Sequence, residues 1–274
     1  MKVKAAYQGI RGAYSEDAIY KHFGKDAESV GYETFEDVFD SVKKCKATHG
    51  IIPFENSIAG NIAANYDLLL KEDVFVTAEV FLKVRHFLLG HKGSGLKEIK
   101  SVYSHSQALE QCRDFLRKHK IKAIQEYDTA GAALLLGKRG KEAAAIASEH
   151  CAEIYKLDIL AKDIQSSMSN TTRFLVFVKK ENIPEGLKKE KTSIVFKTKH
   201  YPNALVNCLQ RLGKNGINLT KLESRPIPEN PWEYMFFVDF EGGIDNENVK
   251  LALSEMEASA TFIKVIGSYP KGRD

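Results

Sequence analysis

The residues best suited to chemistry stand in one short stretch, where an amide and two hydroxyls precede a guanidinium. Asn170, Thr171, Thr172 and Arg173 are followed directly by the apolar run FLVFV. A planar guanidinium donates two parallel hydrogen bonds to a carboxylate, and the neighbouring side chains add further polar contacts. The stretch predicts an anion site, although an arginine at a strand end is also often a solvated charge or half of a structural ion pair.

A second polar stretch, PFENS, places a carboxylate, an amide and a hydroxyl on successive residues. These are Glu55, Asn56 and Ser57. The same residue types cap helices and form turns, so a binding site and a structural turn are both open interpretations. Further along, the histidine of YSHSQ, His105, is either a ligand contact or a core histidine, and we favour the core.

Other familiar sites are not indicated by the spacing of residues. The glycine pairs at 9–12 and 90–95 fit neither a dinucleotide-binding fingerprint nor a phosphate-binding loop. The eight histidines include no H-x-x-x-H, and no G-x-S-x-G elbow occurs. We therefore expect no metal site and no covalent intermediate.

The composition limits the classes of binding partner and the cellular compartment that we expect for this protein. Forty Lys and Arg nearly balance 36 Asp and Glu, which predicts no general attraction to nucleic acid or to membranes. The cysteines, at 45, 112, 151 and 208, form no C-x-x-C pair and are expected to be reduced thiols. No apolar run approaches the ~18 residues of a membrane span, so we expect a cytoplasmic protein.

The elements that must position these residues alternate between strands and helices from residue 3 to about 178. Such alternation is typical of an α/β fold, a mostly parallel sheet covered on both faces by helices. Ligands bind at the carboxyl ends of parallel strands, where helices begin. Three polar stretches fall at such joints, residues 7–15, 52–61 and 103–112, and we expect them to cluster.

The pattern changes after a charged segment interrupted by Pro184 and Gly186. Beyond it the predicted order is βαββαβ, the ferredoxin-like plan. We therefore predict a first domain over residues 1–180, which divides into two lobes, a linker over 181–190 and a second domain over 191–274.

Several blocks of the chain, in order, resemble prephenate dehydratase. SNTTRF resembles the N-x-T-R-F signature of that family, and PFENS, YSHSQALEQC, DTAGAA and AAIAS are similar to its other blocks. INLTKLESRP, PWEYMFFVDFEG and IGSYP resemble the ACT regulatory domain attached to that enzyme. The resemblance implies a two-lobed catalytic domain similar to type II periplasmic-binding folds, with the active site in its cleft, and a C-terminal ACT domain.

The implied reaction is decarboxylation of prephenate with loss of its ring hydroxyl, which gives phenylpyruvate, carbon dioxide and water without a cofactor. The hydroxyl is a poor leaving group, so a donor must meet it in the transition state. By resemblance that donor is Thr172, and Arg173 holds a substrate carboxylate. The other implied catalytic residues are Asn56, Ser104 and Gln111. The other implied substrate-binding residues are Glu55, Ser57, Thr171 and Phe174.

The resemblance also implies that phenylalanine, as allosteric effector, binds between paired ACT domains of a homo-oligomer, a dimer or a tetramer. The implied contacts come from a helix start, Asn203, Ala204, Leu205 and Val206, and from a strand, Asn218, Leu219, Glu223 and Ser224. This chain departs from the family at Asn203, where glycine is usual. A side chain there crowds the backbone, although asparagine tolerates unusual dihedral angles.

Two other functions remain open from the sequence. One is arogenate dehydratase, the same reaction on the transaminated substrate, which carries an ammonium group. The other is a non-catalytic amino-acid sensor, because both predicted domains resemble ligand-binding folds. The sensor predicts no turnover and a dispensable Thr172.

Overall fold

The computed structural model describes residues 2–227 and 230–272, without the side chains of residues 230–232. The Pro-Trp pair that opens PWEYMFFVDFEG lies outside the described side chains. Two compact units are distinguished. The first unit comprises residues 2–65 and 80–174, and the second unit comprises residues 66–79 and 175–272. The helix α3 (Ala63–Lys71) and the strands β5 (Val74–Lys83) and β11 (Thr171–Lys179) run through the boundaries.

The first unit is an α/β structure, as predicted from the alternating pattern. Its remaining strands are β1 (Lys4–Gln8), β2 (Glu28–Tyr32), β3 (His49–Asn56), β4 (Gly60–Asn61), β6 (Phe87–Gly90), β7 (Ser101–Ser104), β8 (Lys122–Gln125), β9 (Ala143–Ala147) and β10 (Asp158–Ala161). Its remaining helices are α1 (Tyr14–Phe23), α2 (Phe35–Lys43), α4 (Ser106–Gln111), α5 (Arg113–His119), α6 (Thr129–Leu136) and α7 (Glu149–Tyr155).

The strands of the first unit form two sheets. One has the order β2-β1-β3-β11, with β4 beside β3, and β1 pairs in parallel with both neighbours. The other has the order β10-β6-β9-β7-β8, in which β7 pairs in parallel with β8 and β9. Its other edge is antiparallel, β6 pairing with β9 and β10. The predicted sheet was mostly parallel, and the antiparallel edge arises because β6 reverses direction, which residue periodicity does not encode.

The strand β9 shows why helices cover both faces of the second sheet. Its side chains alternate between the two faces, as in any strand. Ala143, Ala145 and Ala147 pack against residues of α6 and α7. Ala144 and Ile146 pack against residues of α4 and α5. Small side chains on both faces let the helices approach the sheet closely, and the strand is fully buried.

Four helices of the first unit, α2, α4, α6 and α7, begin after residues whose side chains accept hydrogen bonds from the first turn. Asp128 Oδ1 accepts from Gly131 N at 2.5 Å at the start of α6, and Ser148 Oγ accepts from Cys151 N at 3.2 Å at the start of α7. Such caps satisfy amides that have no partner within the helix. They fix where each helix starts and therefore which residues face the carboxyl ends of the strands.

The second unit has the predicted βαββαβ order. Its elements are β12 (Lys191–Thr198), α8 (Ala204–Lys214), β13 (Leu219–Ile227), β14 (Asn230–Glu241), α9 (Glu247–Met256) and β15 (Ala260–Tyr269). The strand order is β13-β14-β12-β15-β5. Apolar residues of α8 and α9, among them Cys208, Leu212 and Met256, pack against Ile194 and Phe196 of β12. Within residues 2–227 and 230–272, no helix is long and apolar enough to span a bilayer.

Candidate active site

A cavity of about 250 Å³ in the first unit is lined by residues from all three predicted joints. Gln8 ends β1 and Tyr14 follows it, Asn56 ends β3, and His105 follows β7. The expected clustering is therefore observed. A parallel strand and the helix after it present their carboxyl end and their N-terminus at the same edge, which explains why residues far apart in sequence meet there.

Asn56 begins a chain of hydrogen bonds whose direction is fixed by the backbone. Its Oδ1 accepts hydrogens from the backbone amides of Ile58 and Ala59, at 3.0 and 2.8 Å. Because backbone amides only donate, this atom must be the amide oxygen. The two hydrogens on Nδ2 are consequently donated to Oγ1 of Thr172 at 2.9 Å and to Oδ1 of Asn170 at 2.7 Å.

This arrangement leaves the hydroxyl hydrogen of Thr172 for another acceptor. The oxygen of Thr172 already accepts from Asn56, so the hydroxyl can act as a donor in the cavity that its side chain lines. Phe174, two residues along β11, faces the same side and lines the same cavity. A hydroxyl donor beside an aromatic ring suits a reaction in which negative charge develops on a leaving oxygen.

Arg173 lies on the opposite face of β11, as strand alternation requires. It is buried, with 5% of its surface exposed, and its Nη1 lies 3.9 Å from Oε2 of Glu55. Its guanidinium carbon lies 5.5 Å from the centre of the Phe54 ring. Arg173 and Glu55 are not among the described residues that line the cavity. The predicted contact between Arg173 and a substrate carboxylate remains a prediction.

Three other predicted residues make structural hydrogen bonds and do not line the cavity in the described part of the chain. Ser104 is fully buried and donates to the Ile146 carbonyl at 2.6 Å. The Ser57 hydroxyl donates to the Ser169 carbonyl at 2.7 Å and accepts from the Thr171 amide at 3.0 Å. The contacts of Ser57 fix the turn before β11, and so help to place Thr172.

Gln111 lines the cavity and joins Asn170 to His86, a buried histidine that was not among the predicted site residues. Its Oε1 accepts from Nδ2 of Asn170 at 2.8 Å and lies 2.7 Å from Nε2 of His86. Nδ1 of His86 lies 2.9 Å from the hydroxyl of Tyr14, and the same hydroxyl lies 2.6 Å from the Arg85 carbonyl. His86 stands alone before an apolar strand, and nothing in its local sequence distinguishes it from a core histidine.

Burial governs the protonation of His86 and Tyr14, which were not among the predicted site residues. It lowers the pKa of His86 below its ordinary value, while the hydrogen bond with Gln111 acts in the opposite direction. Burial raises the pKa of Tyr14 well above its ordinary value, with a further rise from Cys151. Tyr14 is therefore a neutral hydroxyl throughout the physiological range, and His86 favours the neutral imidazole.

The favoured interpretation of His105 as a core histidine is wrong. The residue is exposed, lines the cavity and precedes α4, where its Nδ1 accepts from Gln107 N at 3.3 Å. A ring nitrogen thus takes the capping role more often filled by Ser or Asp. The capping role explains why a histidine at a strand-to-helix joint stays at the surface.

Helix starts supply much of the positive potential of the cavity. The ionisable side chains among its described lining residues are Tyr14, His86, His105 and Asp128. First-turn residues of α1, α4 and α6 also line it. Helix N-termini present free amides and a partial positive charge, which favours anions. The helix starts favour an anion, whereas the Asp128 carboxylate in the same wall opposes one.

A larger cavity, of about 530 Å³, lies elsewhere in the first unit and contains the ion pair of Asp17 with His150, at 2.9 Å. None of the predicted site residues lines it. The smaller cavity is the candidate active site because the predicted residues Asn56, Gln111 and Thr172 meet there. In residues 2–227 and 230–272, no cluster of three His, Cys, Asp or Glu side chains is arranged to hold a metal ion.

The predicted effector residues occupy two places in the second unit. Asn203 precedes α8 with φ 69° and ψ 6°, in the left-handed region, followed by buried Ala204, half-buried Leu205 and exposed Val206. Asparagine tolerates this conformation better than most residues, which fits its presence where glycine is usual. The remaining effector residues, in and just before β13, are Asn218 and Ser224, which are exposed, and Leu219 and Glu223, which are half-buried.

Asn203 and Asn218, one from each set of effector residues, lie at opposite ends of α8. Asn203 precedes α8 and Asn218 follows it. A helix of 11 residues is about 16 Å long, because each residue adds about 1.5 Å. A ligand the size of an amino acid cannot contact both ends of that helix at once.

Comparisons with known proteins agree with the resemblance. The family model for prephenate dehydratase matches residues 5–182. The chain is 42% identical to arogenate dehydratase/prephenate dehydratase 2 of Arabidopsis thaliana, covering 98% of this chain and 73% of that protein. It is 40% identical to the bifunctional chorismate mutase/prephenate dehydratase of Aquifex aeolicus, covering 98% and 74%.

Solved structures are similar over nearly the whole chain. Prephenate dehydratase from Arthrobacter aurescens, in complex with L-Phe, has a TM-score of 0.88 and 25% identity, covering 99% of this chain and 90% of that chain. GqqA, described as a novel type of quorum quenching acylase, has a TM-score of 0.90 and 30% identity, covering 98% of both chains. The match of the family model and the relatives' identity over nearly the full length lead to one conclusion: this chain belongs to the prephenate dehydratase family.

Proposed function

We propose that this chain converts prephenate to phenylpyruvate, carbon dioxide and water, and that phenylalanine controls the reaction. The bond between the ring and its carboxylate breaks, its electron pair enters the ring, and the ring hydroxyl leaves as water with one proton that is taken up from the solvent. Aromatisation drives the reaction, so the protein's task is to assist the departing hydroxyl. The observation that carries the proposal is the Asn56–Thr172 hydrogen bond, which leaves the Thr172 hydroxyl as a donor in the cavity.

The proposed roles follow from the contacts of each residue. Thr172 donates to the leaving oxygen, and Asn56 holds it in that orientation. Gln111 lines the cavity and contacts the substrate through its amide, and Phe174 packs against the ring. Arg173 is proposed to hold a substrate carboxylate, which requires its side chain to exchange the Glu55 carboxylate for that of the substrate.

The substrate is tested by an assay of the purified chain with prephenate and with arogenate. We expect phenylpyruvate from prephenate. Turnover of arogenate alone would instead assign the second candidate, which is favoured by relatives named for both substrates, such as the Arabidopsis protein. Absence of turnover with either substrate would favour the non-catalytic sensor. An N-acyl amide serves as a further control, because one similar structure is that of an acylase.

The proposed control by phenylalanine rests on the second unit. Asn203 and Asn218 lie at opposite ends of α8, so a site that uses both of these residues needs a second chain. Exposed apolar side chains of this unit offer a surface for that chain, among them Val206, Leu222, Tyr234 and Phe262. We therefore propose a homo-oligomer that binds phenylalanine between second units. The division into a catalytic domain over 1–180 and an ACT domain over 191–274 remains part of this proposal.

The cytoplasm is the proposed location. Cys112, Cys151 and Cys208 are buried free thiols, and Cys45 is an exposed free thiol. Unpaired cysteines of this kind are usual in a reducing compartment. Fractionation of the native cells, followed by detection of the protein, tests the location.

A further inference from the structure

The buried histidine of the cavity has a protonation pattern that its neighbours dictate. The direction of the hydrogen-bond chain is set at Asn56, where two backbone amides fix the amide oxygen. Nδ2 of Asn56 donates to Asn170, so the accepting atom of Asn170 is its oxygen. The other atom, Nδ2 of Asn170, then donates to Gln111, which must present its own oxygen.

His86 completes the chain. Because Oε1 of Gln111 only accepts, Nε2 of His86 must carry a hydrogen to make the contact at 2.7 Å. Burial favours the neutral ring, so Nδ1 has no hydrogen and accepts from the Tyr14 hydroxyl at 2.9 Å. The orientation imposed by two backbone amides near β3 therefore extends to the tautomer of a histidine 30 residues away in sequence from Asn56.

We propose that His86 is a positioning residue that acts through Gln111. This inference rests on the proposed function of the cavity. Its Nε2–H and the amide of Asn170 together hold both lone pairs of the Gln111 oxygen. The NH₂ group of Gln111 is consequently the end available to a ligand. Hydrogen donors suit a dianionic substrate, whereas a reversed amide would present its oxygen to the same negative charge and repel it.

The contacts around His86 support a positioning role, in which the residue takes no direct part in the reaction. The residue is 3% exposed, and its backbone amide donates to Oε1 of Gln165 at 2.8 Å, which fixes the main chain. The Tyr14 hydroxyl faces Nδ1, and its raised pKa keeps it neutral. The neighbouring Arg85 pairs with Asp163 through Nε at 2.6 Å. The two charges of this pair neutralise each other. The Asp163 carboxylate therefore does not favour the charged form of the His86 ring.

The test compares two replacements of His86 in the full chain. His86→Leu removes the donor to Gln111, and we expect kcat/KM to fall about tenfold, as for the loss of one oriented hydrogen bond. His86→Gln keeps a donor in the position of Nε2, and we expect it to restore activity to within about threefold of wild type. A merely structural histidine would not distinguish the two replacements once both are shown to be folded.

The matched control is a variant in which His49 is replaced, at the end of β3 opposite to Asn56. His49 is half-buried, begins β3 and does not line the cavity. Seven residues of strand place it about 23 Å from Asn56. His49→Leu should therefore leave kcat/KM unchanged. Equal losses in His49→Leu and His86→Leu, or full activity in His86→Leu, would overturn the proposal.

A spectroscopic measurement decides the proposal even if a variant fails to fold. In wild-type protein at pH 7.5, ¹⁵N NMR of the His86 ring should show hydrogen on Nε2 and none on Nδ1. Hydrogen on Nδ1 alone would overturn the inferred orientation. This readout needs no turnover, so failure of the wild-type chain to convert prephenate or arogenate would refute the proposed function while the tautomer still tests the network.

Discussion

At the residue scale, the proposed function depends on the Thr172 hydroxyl, whose orientation is set by its hydrogen bond with Asn56. Thr172→Ala removes the proposed donor to the leaving oxygen, and we expect kcat to fall about 100-fold, as for the loss of other transition-state donors. KM should change by less than about threefold, because the interaction strengthens only in the transition state. Steady-state kinetics check this, with Thr261→Ala at an exposed position of β15 as control. A rise in KM alone would contradict the donor role.

Arg173 gives a second prediction at the same scale. Lysine keeps the positive charge but loses the planar fork that pairs with a carboxylate. If the arginine holds the substrate, Arg173→Lys should raise KM about tenfold with kcat nearly unchanged. Kinetics and the urea midpoint are measured together. A lower urea midpoint with unchanged KM would assign Arg173 to a structural ion pair with Glu55 instead.

At the element scale, the start of α8 depends on an asparagine in the left-handed conformation. Alanine at that φ of 69° is strained, and we expect Asn203→Ala to lower the free energy of unfolding by about 1 kcal/mol. Asn203→Gly should not lower it, because glycine adopts this region freely. Urea unfolding measures both, with Gln210→Ala on the exposed face of α8 as control. Equal stability of the alanine and glycine variants would argue against strain at this position.

At the scale of the whole molecule, the proposed control by phenylalanine requires assembly. Leu222 is 46% exposed on β13, and a lysine there should weaken apolar contacts between chains. We expect Leu222→Lys to lower the mass measured by light scattering and to reduce inhibition by phenylalanine, while basal turnover persists. Ser254→Lys, at an exposed position of α9, adds the same charge as a control. Unchanged mass together with unchanged inhibition would place the assembly surface elsewhere.

The sequence alone determined the type and order of most elements. Strand and helix periods are local properties, and they predicted the α/β pattern and the βαββαβ order that the structure shows. The polar joints were also recognisable, because ligands bind where parallel strands end. Family blocks such as SNTTRF and PFENS predicted the family, which the comparisons confirmed.

Only the tertiary structure decided which side chains share the cavity. Tyr14, His86 and Gln111 are far apart in sequence and meet because of how the chain crosses between strands. The same geometry turned Ser104 to the Ile146 carbonyl and exposed His105 at a helix cap. The direction of each amide in the chain from Asn56 to His86 also follows from contacts between distant residues. Residue types and local periods carry no information about such contacts, because they depend on strand pairing and on the backbone groups that each side chain meets.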